Sequence, residues 1–112
     1  MTAMFQQNEM LARLGGDTEL LEEIVALFRD ECPGMVEAVR EAVQADDAEQ
    51  IYRSAHALKG ALMNIAANPV AEKAAVIEAA GRNGALDSID ALFSDLEGAV
   101  DRLAVELAAV AQ

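Results

Sequence analysis

The sequence predicts an all-α protein: an up-and-down antiparallel four-helix bundle preceded by a short extra N-terminal helix. Three observations support this prediction. Apolar residues recur three and four positions apart through most of the 112 residues, which is the spacing of helices with one buried face. Short clusters of Gly, Pro, Asp and Asn separate these segments, and short connections make successive helices antiparallel. No stretch has the apolar–polar alternation of a half-buried strand.

The first half of the chain predicts a short helix followed by a long one. Residues 4–14 form the short helix, which ends at Gly15-Gly16. Asp17 is the predicted N-cap of the long helix. Pro33-Gly34 interrupts the apolar spacing of residues 20–43, so this segment is either one helix kinked at the proline or two helices. We favour the kinked helix because little loop-forming sequence separates the two apolar stripes.

The second half predicts three more helices. Asp46 with Glu49 resembles a capping box and begins a helix that runs to about Ala67. Asn68-Pro69 fits the N-cap and first position of the next helix, which ends at a Gly-Arg-Asn-Gly turn. The last helix begins near Asp87 and carries the longest uninterrupted heptad-like pattern of the chain.

Length and composition limit the possible functions. The length fits a single domain, residues 1–112. The net charge of −12 argues against binding to nucleic acid or to an anionic membrane surface. No run is long and apolar enough to span a bilayer, and the N-terminus lacks the basic start of a signal peptide. We therefore expect a cytoplasmic protein, and a monomer, because four amphipathic helices suffice to close a core.

Several classes of chemistry have no matching motif. The one histidine, His56, and the one cysteine, Cys32, lack zinc-site spacing, so no metal site is expected. The Glu-x-x-His motifs of di-iron bundles are missing, and no glycine-rich loop follows a strand. Carboxylate pairs are common in so acidic a chain and are interpreted as solvated faces. The histidine itself remains as the candidate nucleophile.

The phase of the helix around His56 predicts that its ring faces solvent. At about 100° per residue, His56 lies about 140° from the direction of Ile51, and Gly60 about 180°. Lys59 lies at about 80°, one turn from the histidine. A neutral imidazole carries a free lone pair that can attack phosphorus. The apolar stripe on the opposite side of this helix consists of Ile51, Ala55, Leu58, Leu62 and Ile65.

Two further features favour a phosphorylated histidine. A glycine inside a helix costs roughly 1 kcal/mol relative to alanine, and Gly60 faces away from the apolar stripe. The missing side chain would leave room for a partner to approach the imidazole. Residues 51–70 contain no acidic residue, which predicts a locally positive patch around the histidine. Lys59 would offset part of the charge of a phosphoryl group.

The run His56-Ala-Leu58-Lys59-Gly60 resembles the motif of histidine-containing phosphotransfer (HPt) domains of bacterial phosphorelays. The likeness covers nearly the whole chain. It includes Asn64, the Phe28…Pro33 stretch and the Gly84 turn, and it also includes the start Gly16-Asp17-x-Glu19-Leu20-Leu21. The chain differs from many members in carrying Ala61 after the motif glycine and Ala66 ten residues after the histidine.

The resemblance implies a phosphocarrier. His56 would accept a phosphoryl group on Nε2 from a receiver-domain phosphoaspartate and pass it to another receiver. Lys59 would be the charge partner and Gly60 the clearance position. Partners would be receiver domains of response regulators, a hybrid histidine kinase, or both. The Mg²⁺ used in transfer would belong to the receiver, so no cofactor is expected here, and no ATP-dependent kinase activity.

The helical wheel also suggests a docking surface. Tyr52 and Met63 lie on the face of His56, with Arg53 and Asn64 at the rim, and exposed apolar groups there would pack against a receiver. Alternatively, Tyr52 and Met63 pack under neighbouring helices. Two other functions stay open: a bundle that binds a receiver or another signalling protein without carrying phosphate, and a structural or oligomerising bundle with a large exposed apolar face.

Overall fold

The computed structural model describes residues 2–110. Within that range the chain forms five helices and no strand, which confirms the predicted all-α fold with its extra N-terminal helix. Helices α2 to α5 pack in a closed ring, each against its neighbours in sequence and α5 against α2, while α1 packs against α2. The helices are α1 (Gln7–Arg13), α2 (Thr18–Gln44), α3 (Ala48–Asn64), α4 (Asn68–Asn83) and α5 (Ile89–Val110).

The core runs along the axis of the ring and is built almost entirely from aliphatic residues. The fully buried residues include two alanines, Ala55 in α3 and Ala74 in α4. Larger side chains from every helix of the ring fill the remaining space, and the fully buried ones include Val25, Val39, Ile51, Leu58, Leu62, Ile77 and Leu96.

Helix α2 is continuous through Pro33, so the single-helix alternative holds and the segment does not divide in two. Asp17 caps its first turn, as predicted, by accepting a hydrogen bond from the Leu20 N–H at 3.0 Å. At the other end of the helix, Arg40 pairs with Glu37 and with Glu97 of α5. The ion pair between Arg40 and Glu97 joins α2 to α5.

The predicted N-cap of α3 is wrong by one residue. Asp47, rather than Asp46, accepts the capping hydrogen bond from the Gln50 N–H at 3.2 Å. Asp46 instead takes a left-handed conformation with φ of 53°. The chain needs this conformation to reverse direction after the end of α2, and aspartate tolerates it better than most residues.

The junction of α3 and α4 also differs from the prediction. Helix α3 ends at Asn64, not near Ala67, and the N-cap of α4 is Ala67, whose side chain makes no capping bond. Asn68 is therefore not the N-cap. Its N–H donates to the side chain of Gln6 at 2.9 Å, while the Gln6 N–H donates to the Ala66 carbonyl at 3.0 Å. The N-terminal segment thus supplies the cap from outside the helix.

Helix α1 begins at Gln7 and not at residue 4 as predicted, whereas the remaining boundaries lie close to the predicted ones. Helix α4 continues through Gly81 and ends at Asn83, with Gly84 in the left-handed C-cap position at φ of 66°. Helix α5 begins at Ile89, two residues after the predicted Asp87. Across residues 2–110, none of the helices combines the length and apolar character that crossing a membrane requires.

Candidate functional site

His56 lies on the outer face of α3, and its side chain is 61% exposed. The helix positions it there because the apolar stripe of α3 is turned toward the core. Ile51, Ala55 and Leu58 are fully buried on that stripe, and His56 lies outside it by the geometry of the helix. The ring is therefore accessible to another protein.

A carboxylate from the neighbouring helix holds the inner edge of this ring. Glu78 of α4 places Oε2 at 2.5 Å from Nδ1 of His56, and its side chain is only 4% exposed. An ionised carboxylate can only accept hydrogen bonds. Nδ1 must therefore carry the proton, which leaves the lone pair of the neutral ring on Nε2.

Lys59 binds the other oxygen of the same carboxylate. Its Nζ lies 2.6 Å from Oε1 of Glu78, and the Lys59 side chain is 25% exposed. Arg82 of α4 is more distant, with Nη2 at 3.8 Å from Oε2. One buried carboxylate thus contacts the histidine and two cations, and it connects the site residues of α3 with α4.

The environment of Glu78 keeps this carboxylate charged. Burial alone would raise its pKa, because a charged group is less well solvated inside the protein. The hydrogen bonds and charges of Lys59 and His56 act in the opposite direction, and their effect prevails, so the pKa of Glu78 lies below its usual value. The group is ionised at neutral pH and can accept both hydrogen bonds.

The expectation of an acid-free patch around His56 is therefore wrong. It holds for the segment of α3 that carries the histidine, but α4 brings Glu78 against that segment. Helix packing, which the local sequence does not report, places the two together. Lys59 accordingly shares its charge with a carboxylate instead of standing alone beside the ring.

The four predicted docking residues differ in exposure and in their contacts. The Tyr52 ring is half-buried and stacks on the His56 ring, with the two centroids 6.0 Å apart. The Arg82 guanidinium also lies over the Tyr52 ring, 5.3 Å from its centroid. Met63 is 52% exposed, so it does not pack under a neighbouring helix. Arg53 and Asn64 are also exposed, and Arg53 pairs with Glu49 one turn earlier at 2.9 Å.

The end of α3 beside this surface is fixed by α1. Arg13 donates a hydrogen bond from Nη1 to the Met63 carbonyl at 2.9 Å. Glu9, which pairs with Arg13 at 2.6 Å, holds the guanidinium in place. The contact satisfies one of the carbonyl groups that the end of a helix leaves without a partner inside the helix.

Gly60 has free space around it. A Cβ atom built at this position would meet no other described atom within 4 Å. The packing of the bundle therefore does not require glycine here.

No group of three or more His, Cys, Asp and Glu side chains in residues 2–110 has an arrangement suited to a metal ion.

The sequence analysis missed Glu78, and a usable signal for it was present. Glu78 follows Ala74 by four positions and precedes Gly81 by three, so it falls on the buried stripe of α4. A glutamate on such a stripe requires a cationic partner, because burying an unpaired charge is costly. Lys59 and His56, on the adjacent helix, are suitable partners. Arg82 was missed as well, and its position follows from that of Glu78 one turn earlier.

Comparison with known protein families identifies the family of this chain. The family description "Hpt domain" matches residues 23–106, a span that contains His56, Lys59 and Glu78. Searches of curated proteins and of solved structures returned no match. Hpt domains carry phosphoryl groups in two-component phosphorelays, interact with receiver domains and histidine kinases, and have no kinase activity of their own. The chain belongs to the Hpt domain family.

Proposed function

We propose that this protein accepts a phosphoryl group on Nε2 of His56 from the phosphoaspartate of one receiver domain and passes it to the aspartate of another. One observation carries the proposal: the exposed His56 ring is held at Nδ1 by the buried carboxylate of Glu78. This contact directs the free lone pair to Nε2, on the side of the ring away from Glu78.

The transfer is a displacement at phosphorus. The Nε2 lone pair attacks the phosphorus atom, the new N–P bond forms, and the P–O bond to the partner aspartate breaks. The electron pair of that bond leaves with the aspartate carboxylate. No proton needs to move, because the Nδ1 proton stays in its hydrogen bond to Glu78. The return transfer to a second receiver follows the same steps in reverse.

The charges around the ring suit both directions of transfer. A ring that is protonated on Nδ1 and phosphorylated on Nε2 is an imidazolium, and the carboxylate of Glu78 stabilises its positive charge. Lys59 lies one turn along α3, with its ammonium bound to the same carboxylate. It compensates part of the negative charge that the phosphoryl group brings, as a charge-assisted donor.

The partners and the metal ion are part of the proposal. Receiver domains of response regulators, or of a hybrid histidine kinase, would dock over Tyr52, Arg53, Met63 and Asn64. Met63 contributes apolar contact, and Arg53 contributes charge at the rim. The Mg²⁺ ion that assists transfer would be held by the receiver. Gly60 would give the receiver room to bring its aspartyl phosphate close to Nε2.

Mass spectrometry of the intact chain tests the proposal. We expect a gain of roughly 80 Da, one phosphoryl group, after mixing with a phosphorylated receiver and Mg²⁺, and none with ATP alone. His56→Gln should keep the helical circular dichroism spectrum and lose the gain. Ser54→Ala, which changes a side chain bonded to the backbone of its own helix, is the matched control and should label normally.

The same experiment separates the proposal from the alternative of a pure interaction module. A chain that binds the phosphorylated receiver tightly but gains no mass would overturn the carrier role and support the module. Labelling that persists in His56→Gln would place the phosphoryl group on another residue and would also overturn the proposal.

A further inference from the structure

Gly81 lies where α4 packs closely against the backbone of α3. The residue is buried inside α4, and a Cβ atom at this position would stand 2.7 Å from the Tyr52 backbone nitrogen and 2.9 Å from the Ala48 carbonyl oxygen. It would also stand 3.0 Å from Cγ2 of Ile51. Two of these three atoms belong to the backbone of a helix and cannot rotate away. Only a residue without a side chain fits here.

The other glycines inside helices do not share this environment. Gly34 in α2, Gly60 in α3 and Gly98 in α5 would each place a Cβ atom where no other described atom lies within 4 Å. A glycine inside a helix costs roughly 1 kcal/mol relative to alanine. At Gly81 the cost of a glycine inside the helix is offset by the close contact between the backbones of α3 and α4. No other residue type would permit this contact.

The contact is one helical turn away from the candidate site on both helices. His56 follows Tyr52 by four residues along α3, and Glu78 precedes Gly81 by three residues along α4. Because the two helices run antiparallel, both steps lead in the same direction along the bundle. The separation of the backbones at Gly81 therefore determines the separation at the next turn, where Glu78 meets His56 and Lys59.

We propose that Gly81 is a positioning residue of the phosphotransfer site, which holds α4 close enough to α3 for one carboxylate to bond both His56 and Lys59. The part of this inference that concerns transfer rests on the proposed function above. An alanine would need carbon contacts of about 3.5–4.0 Å, so α4 would move outward by roughly 1 Å. Glu78 bonds its two partners at 2.5 and 2.6 Å, and a shift of that size breaks this double contact.

Two measurements on Gly81→Ala test the proposal independently of each other. The first is the titration of the Glu78 carboxyl by carbon NMR, which needs no partner. We expect the Glu78 pKa to rise, because the carboxylate stays buried while its hydrogen bonds lengthen. The second is the rate of transfer from a phosphorylated receiver, which we expect to fall by roughly 10- to 100-fold, as expected for a misplacement of about 1 Å. Gly98→Ala is the matched control and should change neither.

The outcomes separate this inference from the proposed function. If no chain takes up phosphate but the Glu78 pKa still rises in Gly81→Ala, the carrier role fails and the positioning geometry stands. If Gly81→Ala folds and both readouts equal those of the wild type, the positioning role is overturned. Should the variant not fold, the same change is made together with Ala66→Gly and Gly98→Ala, which we expect to stabilise the bundle. A chain that remains unfolded in that background also overturns the proposal, because Gly81 would then be needed for the bundle as a whole.

Discussion

Glu78 approaches His56 from a different helix, and its Oε2 atom lies 2.5 Å from Nδ1 of the imidazole. The two residues differ sharply in exposure: the histidine side chain is 61% exposed and the glutamate side chain 4%. The carboxylate is thus fixed by the core while the ring it holds faces solvent. This arrangement orients an imidazole at the surface by means of a buried carboxylate.

Replacement of Glu78 by glutamine tests whether the carboxylate sets the tautomer of the ring. An amide can both donate and accept, so Glu78→Gln no longer requires the proton to lie on Nδ1. We expect transfer to His56 to slow by roughly 10- to 100-fold, by analogy with the loss of a group that orients a metal-binding histidine. Nitrogen NMR of the ring should show the Nδ1-protonated form in the wild type and a mixture of tautomers in the variant. Glu72→Gln, an exposed carboxylate of α4, is the control, and equal rates in both variants would contradict the prediction.

We expect the contribution of Glu78 to the free energy of unfolding to depend on pH. The Glu78 pKa in the folded protein lies below its ordinary value of 4.5. Its contribution to stability is therefore present above that value and is lost as the pH falls through the lower folded-state pKa. We expect Glu78→Gln to reduce the free energy of unfolding by about 1–3 kcal/mol at neutral pH. Urea denaturation should show this difference shrinking as the pH falls below 4.5, and a difference that stays constant with pH would argue against the ion-pair origin.

Loss of Lys59 should affect transfer more than folding. Lys59→Ala removes the ammonium group that, in the proposed transfer, compensates part of the phosphoryl charge, and it leaves Glu78 free to bond His56. We expect slower phosphorylation of His56 with the bundle still folded, as measured by quenched transfer assays and circular dichroism. Lys73→Ala is the matched control, because Lys73 also lies on a helix and pairs with an acid, Asp95 at 2.7 Å, away from the histidine. A wild-type rate in Lys59→Ala would remove the lysine from the mechanism.

The sequence alone predicted the parts of the site that depend on a single helix. The phase of α3 placed His56 outward and Ile51 inward, because the turn per residue of a helix is fixed. The contact of Glu78 with the ring depends instead on the spacing and register of two helices. That spacing is determined by small residues such as Gly81, and their role is visible only after packing.

The predicted helix caps show the same difference between local and long-range contacts. The Asp17 cap follows from local sequence, since the residue bonds to the next turn of its own helix. The cap at Asn68 failed because the side chain of Gln6, 62 residues away in sequence, accepts its N–H. The extra N-terminal segment competes there with the local signal, and local patterns do not report such long-range contacts.

Replacing Ala66 by glycine should stabilise the folded protein, because of the backbone conformation at this position. Its φ of 60° places it in the left-handed region, which costs a residue with a Cβ atom roughly 1–2 kcal/mol. The change also removes a fully buried methyl group, worth about 0.8 kcal/mol. Ala66→Gly should therefore raise the free energy of unfolding by up to about 1 kcal/mol, measured by urea denaturation. Ala67→Gly is the control. Ala67 is fully buried like Ala66, but its φ is −89°, so this change removes a buried methyl group without relieving strain and should lower stability. A decrease in both variants would contradict the argument from backbone strain.

A substitution at Gly60 should have opposite effects on the stability of the fold and on the rate of transfer from a partner. Because a Cβ atom at this position meets no other described atom within 4 Å, Gly60→Ala should raise the stability of the isolated chain, by up to about 1 kcal/mol. In the proposed transfer a receiver approaches this surface, so the same methyl group should slow transfer to His56. Gly98→Ala in α5 provides the comparison: it has the same open environment and should gain stability with no change in rate. If Gly60→Ala transfers as fast as Gly98→Ala, the glycine does not serve the approach of a partner.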